Sequence, residues 1–260
     1  MFDNHTLPSD NWGILPSINF FGLNIPSYSL FVFLGLVVGI SYYLYLARKE
    51  KKLGENGIYI VLAALVGGAL GAKIPYWIAY FPEIISSYPN IMPFLSGRTI
   101  VGGLIGGFLG VLFIKKKLGI TDRRGNLFVP AIALGVAIGR IGCFLAGCCY
   151  GVPTGLPWGV NFGDGVLRHP TQLYESIYMI ILFIYFNYKR KQNPKPGQLF
   201  SEFIIAYFSF RFIVSFIRAE PVFFLGLDFF QWVSLGAVIL FSIREFYILR
   251  KIFHLEIMLL

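Results

Sequence analysis

The sequence has few charged residues: they make up 13% of its 260 residues, against 56% that are hydrophobic. Soluble domains average about 25% charged residues, so this balance excludes an ordinary soluble protein. Several apolar runs approach the roughly 20 residues that a helix needs to cross a bilayer. The sequence therefore predicts an all-α integral membrane protein, with residues 1–260 forming a single transmembrane domain.

Cysteine is scarce as well, and Cys143, Cys148 and Cys149 are the only three. They cannot build a disulfide framework, and a bridge between the two neighbours would be strained. The surrounding sequence offers no His, Asp or Glu to complete a metal site. We therefore expect reduced, packed thiols and a protein with no metal and no cofactor.

Acidic residues are scarcer than basic ones: 13 Asp and Glu stand against 22 Lys and Arg, which gives a net charge of +9. The basic residues cluster directly after apolar runs, at 48–52, 115–117, 189–191 and 250–251. Basic residues that flank membrane spans stay in the cytoplasm. This pattern predicts an N-terminus outside, a C-terminus in the cytoplasm and no nucleic-acid partner.

The apolar runs between these clusters predict a polytopic bundle of about seven transmembrane helices. Glycines recur in the second and third runs, which indicates closely packed helices. The fourth run begins after a basic cluster, so its far end should face outward. The predicted spans cover about residues 28–47, 57–81, 101–114, 127–150, 170–188, 199–217 and 229–249.

Arg140 is the first candidate functional residue, because it lies at the outer end of the fourth run. An arginine in hydrocarbon costs a few kcal/mol, so a chain that keeps one there usually gives it an anion to hold. Gly139, Gly142, Gly147 and Gly151 are expected to leave one helix face bare for another helix or a lipid headgroup. The alternative is that the arginine reaches the interface as an anchor.

Arg211 is a second intramembrane arginine, and it shares a predicted helix face with Tyr207 and Arg218. Neither intramembrane arginine has an acidic residue close by in its own helix. This indicates a shared anion such as a lipid phosphate, held at the outer leaflet. Glu202 or Glu175 could pair with the arginines instead.

Residues 168–175 open the fifth run at the same outer face. A proline at the first helical position is ordinary helix-capping chemistry. Gln172 and Glu175 would point into the bundle, while His169 could serve equally as a cap or in chemistry. Tyr28, at the outer end of the first run, is by default an aromatic residue of the membrane interface.

These motifs resemble the bacterial prolipoprotein diacylglyceryl transferases, which move diacylglyceryl from phosphatidylglycerol to the thiol of a lipobox cysteine in secreted precursors. The resemblance covers nearly the whole chain. It rests on Gly139-Arg140-Ile141-Gly142 with Phe144, Gly147 and Gly151, on Arg168-His169-Pro170-Thr171-Gln172-Leu173-Tyr174-Glu175, on Tyr207 with Arg211 and Arg218, on Gly102-Gly103-Leu104-Ile105-Gly106 and on Gly71-Ala72-Lys73.

The resemblance implies a transferase of the bacterial cytoplasmic (inner) membrane, with its active site at the outer leaflet. Its substrates would be phosphatidylglycerol and prolipoprotein signal peptides with a lipobox cysteine, its other partners membrane lipids, and glycerol phosphate would leave. Arg140 and Arg211 would stabilise the leaving phosphate, and His169 would assist proton transfer. The residues implied to bind or orient the lipid are Tyr28, Gly142, Gly151, Gln172, Tyr207 and Arg218.

The sequence departs from the usual pattern of that family at four positions. Cys143 replaces an Asn, Cys148 a Glu, Val101 a His and Ser215 an acidic residue. An imidazole near the reacting thiol would be the natural base. A paralogous transferase with another acceptor, a non-catalytic lipid-binding membrane protein and a membrane thiol-disulfide protein using Cys148 and Cys149 therefore stay open as alternatives.

Overall fold

The computed structural model describes residues 12–20, 22–51, 56–91, 94, 97–121 and 124–257, with side chains described as far as residue 246. Lys52 and the side chains of Arg250 and Lys251, which belong to predicted basic clusters, lie outside that part. The helices are α1 (Ser27–Lys49), α2 (Asn56–Gly71), α3 (Ile74–Ala79), α4 (Phe81–Ser86), α5 (Ile100–Lys117), α6 (Gly125–Leu145), α7 (Thr171–Arg190), α8 (Gln198–Ser215) and α9 (Phe229–Ile257).

By length and apolar composition, five helical segments of the described chain can cross a membrane, which confirms a mostly helical membrane protein. Helices α5 and α7 occupy the two remaining predicted positions but are not among the five. The first ends in three lysines, and the second is interrupted by polar residues and Glu175. The count of seven spans and the orientation of the termini stay predictions. The five segments are Ser27–Lys49, Asn56–Ala79, Gly125–Leu145, Gln198–Ser215 and Phe229–Phe246.

Helix α6 ends at Leu145, so the prediction that the fourth helix continues to residue 150 was wrong. Gly147 and Cys149 both have positive φ angles, of 69° and 63°, and a left-handed residue stops a helix. The two adjacent cysteines therefore lie in a loop rather than on a helix. The expected bare helix face is correspondingly shorter and excludes Gly147 and Gly151.

Two helix pairs pack with their backbones in close contact. Helix α1 crosses α6 at Gly35, where a Cβ atom would lie 2.5 Å from the carbonyl oxygen of Gly135. Helix α2 crosses α5 at Gly71, where a Cβ atom would lie 2.7 Å from Cα of Gly106. Small residues allow this approach in membrane helices, as the glycine-rich runs predict.

Three short antiparallel hairpins and the adjoining loops cover one end of the helices. They precede α1, join α6 to α7 and join α8 to α9, so they share the end that is predicted to face outward. Backbone hydrogen bonds link them, from Gly13 N to Phe162 O at 2.6 Å and from Val152 N to Ile217 O at 2.9 Å. The hairpins are β1 (Ser17–Phe20) with β2 (Leu23–Pro26), β3 (Val160–Asn161) with β4 (Leu167–Arg168), and β5 (Val222–Phe224) with β6 (Leu227–Asp228).

Candidate active site

A cavity of about 1700 Å³ lies between the α1–α6 pair and the α2–α5 pair, and residues of α8 and α9 also line it. Along α6 its lining runs from Gly125 to Cys143, which corresponds to about 27 Å of helix. The middle of the cavity is apolar, with side chains such as Val32, Leu104 and Val136. Arginines line the end beneath the hairpins, namely Arg98, Arg140, Arg211 and Arg218.

Arg140 pairs with a carboxylate from a neighbouring helix. Its Nη2 lies 2.7 Å from Oε2 of Glu175, and the Tyr207 hydroxyl donates to Oε1 of the same carboxylate at 3.0 Å. All three side chains are buried. The pairing of Arg140 with Glu175, which the sequence left open as an alternative to a lipid phosphate, is thus present, while Glu202 pairs with Lys189 at 2.6 Å.

Arg211 and Arg218 share a second carboxylate, which the sequence reasoning did not consider. Glu220 Oε1 accepts from Nη2 of Arg211 at 3.3 Å and from Nη2 of Arg218 at 2.8 Å, and Oε2 accepts from the Tyr80 hydroxyl at 2.7 Å. Burial alone would raise the pKa of Glu220, but the two guanidinium groups hold it below its ordinary value. The signal available in the sequence was an acidic residue two positions after Arg218, in the loop after α8.

The two carboxylates do not balance the arginines that line this end of the cavity. Arg140, Arg211 and Arg218 form the described ion pairs with Glu175 and Glu220, which leaves one positive charge in excess, and the exposed Arg98 lines the same end of the cavity. Guanidinium groups in a water-poor site bind phosphate oxygens strongly and in fixed directions. The arrangement favours an anionic group at this end of an otherwise apolar cavity.

The cysteines occupy a turn that other side chains hold by its carbonyl groups. Gln172 Nε2 donates to Cys148 O at 2.6 Å, Thr171 Oγ1 to Cys149 O at 2.7 Å, and Arg218 Nη1 to Cys149 O at 3.2 Å. Of the sulfur atoms, Cys148 Sγ donates to Cys143 O at 3.6 Å, and Cys143 Sγ lies 3.9 Å from Arg140 Nη1. All three cysteines are free thiols that line the cavity, and their Sγ atoms lie within 4.8 Å of one another.

The structure brings some of the predicted site residues to the cavity and keeps others away. Four predicted residues do not line it. Gly142 faces α1, where a Cβ atom would lie 2.5 Å from Cβ of Phe31, and Gly151 packs against Ile217 and His169. The predicted residues that line the cavity are Tyr28, Arg140, Tyr207, Arg211 and Arg218, and those that do not are Gly142, Gly151, His169 and Gln172.

His169 is half-buried, and its Nδ1 lies 3.2 Å from the hydroxyl oxygen of Tyr174. Among the described residues that line the cavity there is no histidine. Val101, the residue found in place of the usual histidine, does line it. A role for His169 in proton transfer stays a prediction, and the described contacts do not place a base beside the arginines.

The comparisons with known proteins agree on one family. The family model described as prolipoprotein diacylglyceryl transferase matches residues 16–247. The chain is 38% identical to a phosphatidylglycerol–prolipoprotein diacylglyceryl transferase of Clostridium tetani, over 77% of this chain and 84% of the relative. A protein of that name, numbered 2, from Clostridium perfringens is 32% identical over 86% and 93% of the two chains. One from Finegoldia magna is 34% identical over 86% and 91%.

Proposed function

Because this chain belongs to the prolipoprotein diacylglyceryl transferase family, a family of membrane transferases in lipoprotein biosynthesis, we propose that it transfers diacylglyceryl from phosphatidylglycerol to the lipobox cysteine thiol of prolipoproteins. Glycerol phosphate is the other product. The observation that carries this proposal is the placement of buried arginines at one end of a long apolar cavity. Acyl chains fill the apolar part, and the phosphate lies against the arginines.

The reaction is a single displacement at the glyceryl carbon that bears the phosphate. The acceptor sulfur forms a bond to that carbon, and the carbon–oxygen bond to the phosphate breaks. The leaving phosphate gains negative charge, which preorganised guanidinium groups stabilise more strongly here than they would in water. Arg140 and Arg211 carry that role, with Arg218 beside them.

The carboxylates fix the directions of these guanidinium groups. Glu175 holds Arg140 from behind and is itself oriented by the Tyr207 hydroxyl. Glu220 holds Arg211 and Arg218 together. A site whose donors are already oriented loses little energy in reorganisation when charge develops. Tyr28, which lines the same end of the cavity, contacts the lipid headgroup or the glyceryl unit.

The basic clusters support an orientation in which this end of the cavity faces the outer leaflet of the cytoplasmic membrane. Prolipoprotein signal peptides reach the site from that side. Helices α5 and α7 then cross the membrane with the five more apolar segments, which gives seven spans.

The test is transfer by the purified protein in vesicles of phosphatidylglycerol labelled in its acyl chains. A lipobox peptide is the acceptor, and the same peptide with serine in place of its cysteine is the matched control. We expect label on the cysteine peptide alone and an equal amount of released glycerol phosphate. Folded protein that binds phosphatidylglycerol but transfers nothing would favour the non-catalytic lipid-binding alternative.

A further inference from the structure

The three thiols at the outer end of the cavity take no part in the proposed displacement reaction. They belong to a turn whose shape is set by Gln172, Thr171 and Arg218 through carbonyl groups. The turn is therefore held mainly by other side chains, with one further bond from Cys148 Sγ to Cys143 O at 3.6 Å. Yet the turn brings three free sulfur atoms within 4.8 Å of one another, on the wall of the cavity that the arginines line.

We propose that Cys143, Cys148 and Cys149 bind a zinc ion whose open fourth position takes the acceptor thiol. This inference rests on the proposed function, because the acceptor in question is the lipobox cysteine. It gives the chain a way to ionise that thiol in a cavity whose described lining contains no histidine.

The geometry fits a tetrahedral ion with three protein ligands. Zinc–sulfur bonds of about 2.3 Å place the sulfurs of such a site roughly 3.8 Å apart. The observed limit of 4.8 Å therefore requires a contraction of about 1 Å at most, within the reach of side-chain rotation. Catalytic zinc sites keep three protein ligands and an open position. A structural zinc site would need a fourth protein ligand, which is missing here. A site that binds the acceptor thiol needs that fourth position to be open.

The charges at this end of the cavity also fit. Zinc with three thiolates carries one net negative charge, and a lipid phosphodiester carries another. The four lining arginines alone exceed the carboxylates of Glu175 and Glu220 by two positive charges, and Lys73 lines the same end. Arg140 lies close to the sulfurs, with Nη1 3.9 Å from Sγ of Cys143. The positive side chains at this end can thus stabilise the zinc thiolates and the lipid phosphate together.

The chemistry is balanced without an oxidant or a reductant. The acceptor thiol loses its proton to water when its sulfur enters the fourth position, because a thiol that coordinates zinc is deprotonated. That sulfur then forms the bond to the glyceryl carbon. The carbon–oxygen bond breaks, and its electron pair leaves with glycerol phosphate. The neutral thioether product is a weak ligand and departs, which reopens the position.

The first test measures the metal. Protein purified with a phosphine reductant should contain zinc near one equivalent by mass spectrometry of the metal. Cobalt(II) added to the metal-free protein should give the near-ultraviolet band of sulfur-to-cobalt charge transfer. Cys143→Ser, Cys148→Ser and Cys149→Ser should each lose most of both signals. Arg211→Lys retains all three thiols and is the matched control that should keep them.

The second test measures the open position. The lipobox peptide should strengthen the charge-transfer band of the cobalt protein, and the serine peptide should leave it unchanged. Removing zinc should lower transfer at least tenfold, and returning zinc should restore it. Wild-type protein that binds neither metal, or whose metal-free form transfers at the full rate, would overturn the inference. Neither of these measurements depends on a variant that must fold.

The two proposals fail in different ways. Zinc-independent transfer that is lost in Arg211→Lys would overturn the zinc inference and leave the proposed function standing. A cobalt band that responds to the cysteine peptide, without transfer from phosphatidylglycerol, would support the thiol-binding site and overturn the proposed function.

Discussion

Arg140 and Arg211 each form an ion pair with a carboxylate. A lysine substitution therefore tests whether the orientation of the guanidinium group matters as well as its positive charge. Lysine keeps the charge but loses the planar fork that can grip a carboxylate and a phosphate at once. We expect Arg140→Lys and Arg211→Lys to lower the transfer rate at least about a hundredfold, as for loss of one oriented donor. The measurement is transfer and phosphatidylglycerol binding, normalised to folded protein.

Arg190→Lys is the control for these two variants. Arg190 also pairs with a glutamate, Glu50, but it lies at the C-terminal end of α7 and does not line the cavity. It should keep the normal rate. Near-normal rates for all three variants would show that the cavity arginines act as anchors, and the transferase proposal would lose its main residues.

Glu175 is fully buried beside Arg140, so removing its charge should lower the free energy of unfolding. Breaking one partner of a buried ion pair destabilises a protein by about 3–5 kcal/mol, because the other charge stays buried. Glu175→Gln keeps the shape of the side chain and an oxygen that accepts from Tyr207, so a loss of stability would come from the loss of the charge. We expect its unfolding temperature in detergent to fall, and phosphatidylglycerol to raise it more than in the wild type, since a phosphate replaces the lost carboxylate.

The matched control is Glu202→Gln, because Glu202 pairs with Lys189 where both side chains are about a quarter exposed, at 26% each. Partly exposed pairs of this kind contribute about 0–1 kcal/mol. Equal losses of stability in the two variants, or equal responses to lipid in Glu175→Gln and the wild type, would contradict the prediction.

At the scale of helices, Gly142 separates a packing role from the predicted substrate-binding role. A Cβ atom there would press on Phe31 of α1, and overpacking costs about 1–3 kcal/mol. Gly139 lies one turn earlier in α6, with nothing within 4 Å of its Cβ position, so alanine should stabilise the helix by about 0.5–1 kcal/mol. We expect thermal unfolding of Gly142→Ala and Gly139→Ala to shift in opposite directions. A Gly142→Ala protein of normal stability that fails to bind phosphatidylglycerol would instead support substrate contact.

Apolar runs and basic clusters predict the long helices well, because both are local properties of the sequence. The end of α6 also has a local signal, because Gly147 follows the C-cap residue Ala146 and has a left-handed φ of 69°. The turn after it could not be predicted in the same way. It depends on a left-handed Cys149, an uncommon conformation for a residue with a side chain, which hydrogen bonds from Thr171 and Arg218 support. These partners are distant in sequence, so no local pattern reveals them.

The same limit applies to the candidate site across the whole molecule. An arginine within an apolar run can be recognised as a candidate from the sequence, because placing its charge in hydrocarbon costs free energy at any position along the span. The acid that pairs with it comes from another helix or loop, as Glu175 and Glu220 do. The sequence left Glu175 as an alternative partner and gave no indication of Glu220. Likewise, the closeness of three sulfur atoms arises only when the turn after α6 folds back on Cys143.

The orientation of the molecule in the membrane gives the last prediction. If the basic clusters are cytoplasmic, the hairpin end of the bundle and the arginine end of the cavity face outward. Exposed positions at each end can report this through cysteines introduced singly into a protein whose native cysteines are changed to serine. Asn90→Cys and Gly155→Cys lie at the predicted outer end, and Lys117→Cys and Lys191→Cys at the cytoplasmic end.

An impermeant maleimide added to intact cells should label Asn90→Cys and Gly155→Cys, because both positions are exposed and face the reagent. Lys117→Cys and Lys191→Cys should react only after the membrane is opened, which also serves as the control that these thiols are reactive. Labelling of the lysine positions in intact cells would invert the orientation and place the arginines at the inner leaflet. An acceptor delivered from outside could not reach them there, so this outcome would remove the route by which a secreted precursor meets the lipid phosphate.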